Sequence, residues 1–303
     1  DSGSSANPTT TLYLGDGTGG FTEAGAALTS VQNSSSSIAD VDGDGSQDLL
    51  ITGEDSSGTP TATLYLGDGT GGFTEAGAGL TGVDEGSTSI ADVNEDGNPD
   101  LLITGRNANF NPTATLYLGD GTGGFTEAGA GLTGVRNGST SIADVNGDGN
   151  EDLLITGEDS GGNLTATLYL GDGNGGFTEA AAGLTGVGGR SSSSVADLNG
   201  DGNPDLLITG KDSGGGPTAT LYLGDGNGGF TEAGAGLTGV DFGSSTSFAD
   251  INGDGNEDLL ITGQNSGGSP TATLYLGDGN GGFTEANADL TGVLNSSSSI
   301  ADV

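Results

Sequence analysis

Apolar residues along this chain come in short runs that alternate with Gly, Ser, Asp and Asn. Within residues 34–83, Asp48–Gly53 places Leu49 and Ile51 on one side of an extended strand and Leu50 on the other. Thr61–Gly67 sets Leu64 and Leu66 opposite Tyr65. Successive side chains of a strand point to opposite faces, so both faces of this sheet are apolar and both must be covered. Ser35–Val41 reads as a strand of small side chains, and another strand starts at Phe73. In chain order these four are designated A (Ser35–Val41), B (Asp48–Gly53), C (Thr61–Gly67) and D (from Phe73). No window shows a helical period with caps, and glycine interrupts every candidate.

The pattern repeats. Leu-Tyr-Leu-Gly-Asp-Gly begins at Leu12, Leu64, Leu116, Leu168, Leu221 and Leu274, a spacing of 52 or 53 residues. Asp-Leu-Leu-Ile-Thr-Gly begins at Asp48, Asp100, Asp152, Asp205 and Asp258. Four strands per repeat with two apolar faces predict an all-β fold, a β-propeller of six four-stranded blades forming one domain over residues 1–303. A β-solenoid is the rival, but its coils are usually shorter than this repeat. The A strands, rich in Ser, are expected innermost. The chain starts at a C strand, Thr9–Gly15, and ends in an A strand, Ser297–Val303. The sixth blade is therefore expected to be shared between the termini and to lack its B strand, with Ser296–Val303 lying beside Thr9–Gly15 and Phe21–Ala24. Asp1 is not an initiator residue, which suggests a processed chain or a fragment.

Between strands A and B lies Asp-x-Asp/Asn-x-Asp-Gly-x-x-Asp. Its five copies are Asp40, Asp42, Asp44 and Asp48; Asp92, Asn94, Asp96 and Asp100; Asp144, Asn146, Asp148 and Asp152; Asp197, Asn199, Asp201 and Asp205; and Asp250, Asn252, Asp254 and Asp258. In a curled loop, oxygens at positions 1, 3 and 5 face one pocket. Glycine at position 6 makes the turn, and Asp at position 9 closes the shell. Hard oxygen ligands at this spacing suit Ca²⁺, about five ions in all, in a structural role. The bland alternative is a set of Asp-Gly turns that bind nothing. An EF-hand is ruled out because position 12 is Ile51 in the first copy and no helices flank the loop.

These loops, followed by Leu-Tyr-Leu-Gly-Asp-Gly-x-Gly-Gly-Phe, resemble the FG-GAP-like, or VCBS, repeat family of β-propellers, related to the integrin α-subunit propeller. The resemblance covers almost the whole chain and implies Ca²⁺ in the A–B loops. It departs from the family in blade count, since many members are seven-bladed. It departs also in the sixth loop, which keeps only Asp302. The other recurrent acid, Asp16 with Asp68, Asp120, Asp172, Asp225 and Asp278, reads as a hairpin-turn residue between strands C and D.

Composition sharpens the functional reading. There are 42 acidic residues against 4 basic ones, a net charge of −38. Such a chain repels nucleic acid and anionic membranes and attracts cations. No apolar run approaches membrane-spanning length. Without Cys or His, the usual nucleophile–base pairs and thiolate metal sites are missing, and near-identical copies argue against one asymmetric active site. The expectation is a non-enzyme. If there is catalysis, Arg106, Phe110 and Arg136 form the odd cluster to inspect.

Strand alternation puts the uniform A–B and C–D loops at one end of each sheet. The varied B–C and D–A connections lie at the other, and they carry all four basic residues (Arg106, Arg136, Arg190, Lys211) as well as Phe110 and Phe242. Varied loops on a rigid scaffold suit binding, although surface loops also drift freely. The expected role is an extracellular or cell-surface adhesion module for a protein or glycan. The alternative is a filament or coat subunit that binds copies of itself, and a carbohydrate-active enzyme is the weaker third reading. Four sequons, at Asn33, Asn137, Asn163 and Asn295, would carry N-glycans in a eukaryotic secretory protein.

Overall fold

The computed structural model describes residues 8–295, 297 and 298. Its backbone is all β, and no helix occurs among these residues. The chain divides into two compact units, Asp1–Gly134 and Val135–Val303. In the first, β1 (Tyr13–Gly15) and β2 (Phe21–Glu23) form a two-stranded sheet. Two antiparallel quartets follow. One is β3 (Val31–Ala39), β4 (Asp48–Asp55), β5 (Pro60–Gly67) and β6 (Phe73–Ala76). The next is β7 (Val83–Ala91), β8 (Asp100–Asn107), β9 (Pro112–Gly119) and β10 (Phe125–Glu127).

The second unit holds three quartets. The first comprises β11 (Thr140–Ala143), β12 (Asp152–Glu158), β13 (Leu164–Gly171) and β14 (Phe177–Ala180). The second comprises β15 (Gly188–Ala196), β16 (Asp205–Lys211), β17 (Pro217–Gly224) and β18 (Phe230–Ala233). The third comprises β19 (Asp241–Ala249), β20 (Asp258–Gln264), β21 (Pro270–Gly277) and β22 (Phe283–Glu285). Each quartet runs A-B-C-D with nearest neighbours paired. In the expected meeting of the chain ends in a sixth blade, Thr9–Gly15 and Phe21–Ala24 are described, whereas Ser296–Val303 lies outside the described residues except for Ser297 and Ser298.

Both sheet faces are covered, as the alternation requires. Leu50, Leu64 and Val41 on one quartet meet Leu101, Ile103 and Tyr117 on the next. Val145, Leu154 and Leu168 meet Leu206, Ile208 and Tyr222 in the same way. Leu207 then faces Leu259, Ile261 and Tyr275. All B-strand leucines but Leu260 are buried, and full burial of one such side chain contributes about 1.5–3 kcal/mol. Each tyrosine also spends its hydroxyl well. Tyr65, Tyr117, Tyr222 and Tyr275 accept the backbone N–H of Thr29, Thr81, Thr185 and Thr238, which pins the segment leading into the A strand.

Within each unit, adjacent A strands meet through hydroxyls. Ser35 and Ser37 bond Thr88, Ser141 bonds Ser193, and Ser192 and Ser194 bond Thr246. Large side chains would hold these strands apart, which accounts for the serine runs.

The A strands start earlier than the expected Ser35. β3 begins at Val31 and contains a register shift between Gln32 and Ser35. Asn33 sits there at φ 50°. The partner position on β4 is Gly53, at φ 148°, where a Cβ would lie 2.8 Å from the Gln32 carbonyl oxygen. The bulge thus explains why each B strand carries a glycine after Ile-Thr.

Candidate functional site

The A–B loops curl around their first aspartate. In every copy one carboxylate oxygen accepts the N–H of the position 6 glycine: Gly45 to Asp40, Gly97 to Asp92, Gly149 to Asp144, Gly202 to Asp197 and Gly255 to Asp250, at 2.8–2.9 Å. Those glycines have φ near 90°, so the turn conformation selects them. Position 3 accepts from the position 5 N–H, as Asp42 does from Asp44 and Asn146 from Asp148. Position 5 accepts from position 7, as Asp44 does from Ser46 and Asp201 from Asn203. In the last four copies the position 3 amides of Asn94, Asn146, Asn199 and Asn252 donate to Asp96, Asp148, Asp201 and Asp254.

Position 9 does more than close a shell. Asp48 is buried, and its two oxygens accept the N–H groups of Val41 and Gly67, both at 2.8 Å. Asp100, Asp152, Asp205 and Asp258 repeat this bridge to the next C strand's last glycine. The carboxylate therefore ties the loop to strand C and fixes its start. Burial raises the pKa of Asp100, Asp152 and Asp205 against the lowering effect of those two N–H donors, and the nearby loop aspartates raise it further.

In the first loop, ligand atoms of Asp40, Asp42 and Asp48 lie within 4.8 Å of one another. Each N–H bond uses one lone pair of an oxygen and leaves the other available. The donor set is all oxygen and negatively charged, so it fits a hard divalent cation such as Ca²⁺. Among the described residues, ion pairs join Arg106 to Asp84 and Glu85, and Arg136 to Glu158, away from these loops.

The C–D loops match the turn reading. Asp68 Oδ1 accepts the N–H groups of Thr70 and Gly72, with Gly69 and Gly71 at positive φ. The other five copies do the same. The backbone N–H of Thr18 or Thr70, together with that threonine's hydroxyl, holds Asp16 and Asp68 below the usual carboxylate range. For Asp120 the Thr122 hydroxyl leads.

The varied end of the sheets differs in kind. At the A-strand bulge, Asn33, Glu85, Asn137, Arg190, Phe242 and Asn295 all have φ between 40° and 63°. Three of the four sequon asparagines share this one position, and asparagine tolerates left-handed backbone better than most residues. The fourth, Asn163, lies exposed in a B–C loop, where it bonds Asp159. Phe110 stands at φ 62° where the other B–C loops carry Gly58, Gly162, Gly215 or Gly268, and its ring is 74% exposed.

Of the expected odd cluster, Arg106 and Phe110 are together, 5.3 Å apart, and Arg106 is clamped by Asp84 through two bonds. Arg136 belongs to the second unit and pairs with Glu158. That unit also holds a cleft of about 830 Å³ whose lining includes Asn137, Asn163, Arg190, Lys211, Asp212 and Phe242. Sequence reasoning placed these residues on the varied end but did not bring them together. The signal was the repeat spacing, which lengthens from 52 to 53 residues at this point.

The model of the FG-GAP-like repeat matches this sequence four times, at residues 40–103, 92–155, 144–208 and 197–261. A comparison with curated proteins finds no match. Among solved structures, a triple-alanine variant of AofleA from Arthrobotrys oligospora is 12% identical with a TM-score of 0.51, the match covering 88% of this chain and 74% of that one. An Aleuria aurantia lectin variant in complex with α-methyl-L-fucoside is also 12% identical, with a TM-score of 0.50 and coverage of 90% and 87%. The biofilm matrix protein Bap1 of V. cholerae is 18% identical at a TM-score of 0.47. The match covers 86% of this chain but only 40% of Bap1. The fold is thus propeller-like. A shared fold by itself assigns no chemistry.

Proposed function

The chain belongs to the FG-GAP-like repeat family, and on that premise we propose that it is a calcium-stabilised, non-catalytic recognition module that binds a glycan or protein through its varied loops. The observation that carries this reading is the contrast between the two ends of every sheet. At one end, five acidic loops and six turns are near-copies, each loop curled by the same bond from its position 6 glycine to its first aspartate and each turn by the same two bonds to its aspartate. At the other, charge, aromatic exposure and bulge length change from repeat to repeat. A scaffold that holds one end constant and varies the other is arranged for recognition.

Calcium belongs to the constant end. Asp40, Asp42, Asp44 and Asp48, with their four counterpart sets, would hold it. Bound there, the ion neutralises carboxylates that crowd one another. The position 9 aspartate couples it to strand C, so metal binding stabilises the folded sheet. The fucoside bound by the Aleuria lectin makes glycans the first ligand class to screen. A ligand outside the cell, where calcium is abundant, fits the same reading.

The test is a glycan array probed with the full chain in calcium, alongside variants with the B–C loops of residues 106–111 and 211–216 exchanged. Binding that follows the exchanged loops supports the proposal. Binding that survives both exchanges but is lost on altering the C–D loops would place recognition at the wrong end.

A further inference from the structure

The cleft in the second unit lies where the repeat departs from itself. In β3 and β7 two residues separate the paired positions flanking the bulge, between Gln32 and Ser35 and between Asp84 and Ser87. In β15 and β19 three do, between Gly188 and Ser192 and between Asp241 and Ser245. The added residue brings Gly189 with Arg190, and Phe242 with Gly243, into consecutive left-handed positions. Gly189, Arg190 and Phe242 all line the cleft.

The same irregularity releases a cation. At the varied end of the A–B ladder the cross-strand pairs are Gln32–Glu54, Asp84–Arg106 and Arg136–Glu158, each joined by a side-chain hydrogen bond. The pairing position opposite Lys211 is Gly188, which has no side chain to offer. Among the described residues Lys211 forms no ion pair, and its ammonium lies 5.8 Å from the Phe242 ring. At Gly189 a Cβ would come within 3.0 Å of the Lys211 Cβ, so glycine there keeps the lysine in place. Arg190 reaches Asn295 Oδ1 at 3.0 Å through one nitrogen. Asp241, beside Phe242, is buried with Oδ1 unpartnered.

In a chain of net charge −38, then, one cleft collects two of the four basic side chains, a half-exposed aromatic ring, the amides of Asn137 and Asn163, and the acids Glu158 and Asp212. Resting on the recognition reading above, we infer that this cleft binds a glycan bearing hexuronic acid residues. The sugar carboxylate would pair with Lys211 and Arg190. Its hydroxyls would donate to Glu158 and Asp212 and accept from the asparagines, and an apolar sugar face would lie against Phe242. Glu158, Asp212 and the overall charge repel a dense polyanion or an acidic peptide, whereas a sugar with one carboxylate among neutral hydroxyls meets each group with a partner.

Calorimetric titration of the full chain in calcium with trisaccharides that carry one galacturonic, glucuronic or mannuronic acid among neutral sugars, and with their fully neutral counterparts, tests this. At least one acidic trimer should bind tenfold or more tightly than its neutral counterpart and weaken as salt rises. Lys211→Gln and Phe242→Ala should each reduce that affinity about tenfold, with circular dichroism unchanged. Equal binding of acidic and neutral trimers would overturn the inference and leave glycan recognition standing. Preference for a tetra-aspartate peptide, or acidic-trimer binding indifferent to both substitutions, would also overturn it. If no trimer binds, the inference fails, and the glycan array separately decides the broader reading.

Discussion

Two repeated residues show how single positions hold the repeat together. The glycine near the end of each B strand faces the start of the A strand. Gly210 has φ 150° and would place a Cβ 2.8 Å from both the Gly188 carbonyl oxygen and the Ser191 Cβ. Gly210→Ala should therefore lower stability by about 1–3 kcal/mol, measured by urea unfolding. A neutral result would mean the bulge relaxes freely. The turn aspartates make a second case. Hydrogen bonds from Thr18, Thr70 and Thr122 in the C–D loops, and from the Ser57 hydroxyl and the Asn163 amide in B–C loops, hold Asp16, Asp68, Asp120, Asp55 and Asp159 below the ordinary 3.8.

A depressed folded-state pKa means that the unfolded chain takes up protons first as pH falls. The stabilisation is complete above the ordinary value and disappears as pH drops through the folded-state pKa. Thermal melts from pH 5 to pH 2 should show Tm falling below about pH 4. Asp68→Asn, which keeps an acceptor oxygen without the charge, should flatten that fall. An unchanged slope would show that these turns contribute nothing to acid sensitivity.

At the scale of strands, the alternation of Leu, Ile and Tyr was legible because both faces are buried and the period is short. The B and C strands fall where the pattern places them, and Leu207 and Leu259 face each other as expected of stacked sheets. Leu207→Ala should cost about 2–5 kcal/mol by chemical denaturation, since the stacked sheets close only partly over the lost volume. A loss under 1 kcal/mol would show that this face is not a packed interior. The A strands were harder to read. Their bulge is written in Ser, Gly and Asn, which carry no periodic signal, and it surfaces only as one added residue between repeats. The double role of Asp48 and its counterparts was likewise hidden. Ligand spacing marks an aspartate as a donor to metal, but not as the acceptor of two backbone N–H groups, one from its own loop and one from the end of strand C. Lys211 and Phe242 could be assigned to the varied end from sequence, yet their approach depends on that bulge.

For the molecule as a whole, charge is the governing term. The chain carries −38, and among the described residues the ion pairs of Arg106 and Arg136 lie outside the A–B loops. In chelator, added sodium chloride should raise Tm by screening this repulsion, and in calcium the same salt should matter less. A salt response identical in both conditions would separate the loops from the charge problem. On the proposed calcium reading, five loops would take five ions and offset ten charges at the constant end of the sheets. The most direct measurement is calcium stoichiometry by native mass spectrometry, paired with thermal melting in calcium and in EDTA. The account predicts about five ions per chain and a markedly lower midpoint in EDTA. A chain that retains no calcium and melts at the same temperature in both conditions would contradict it.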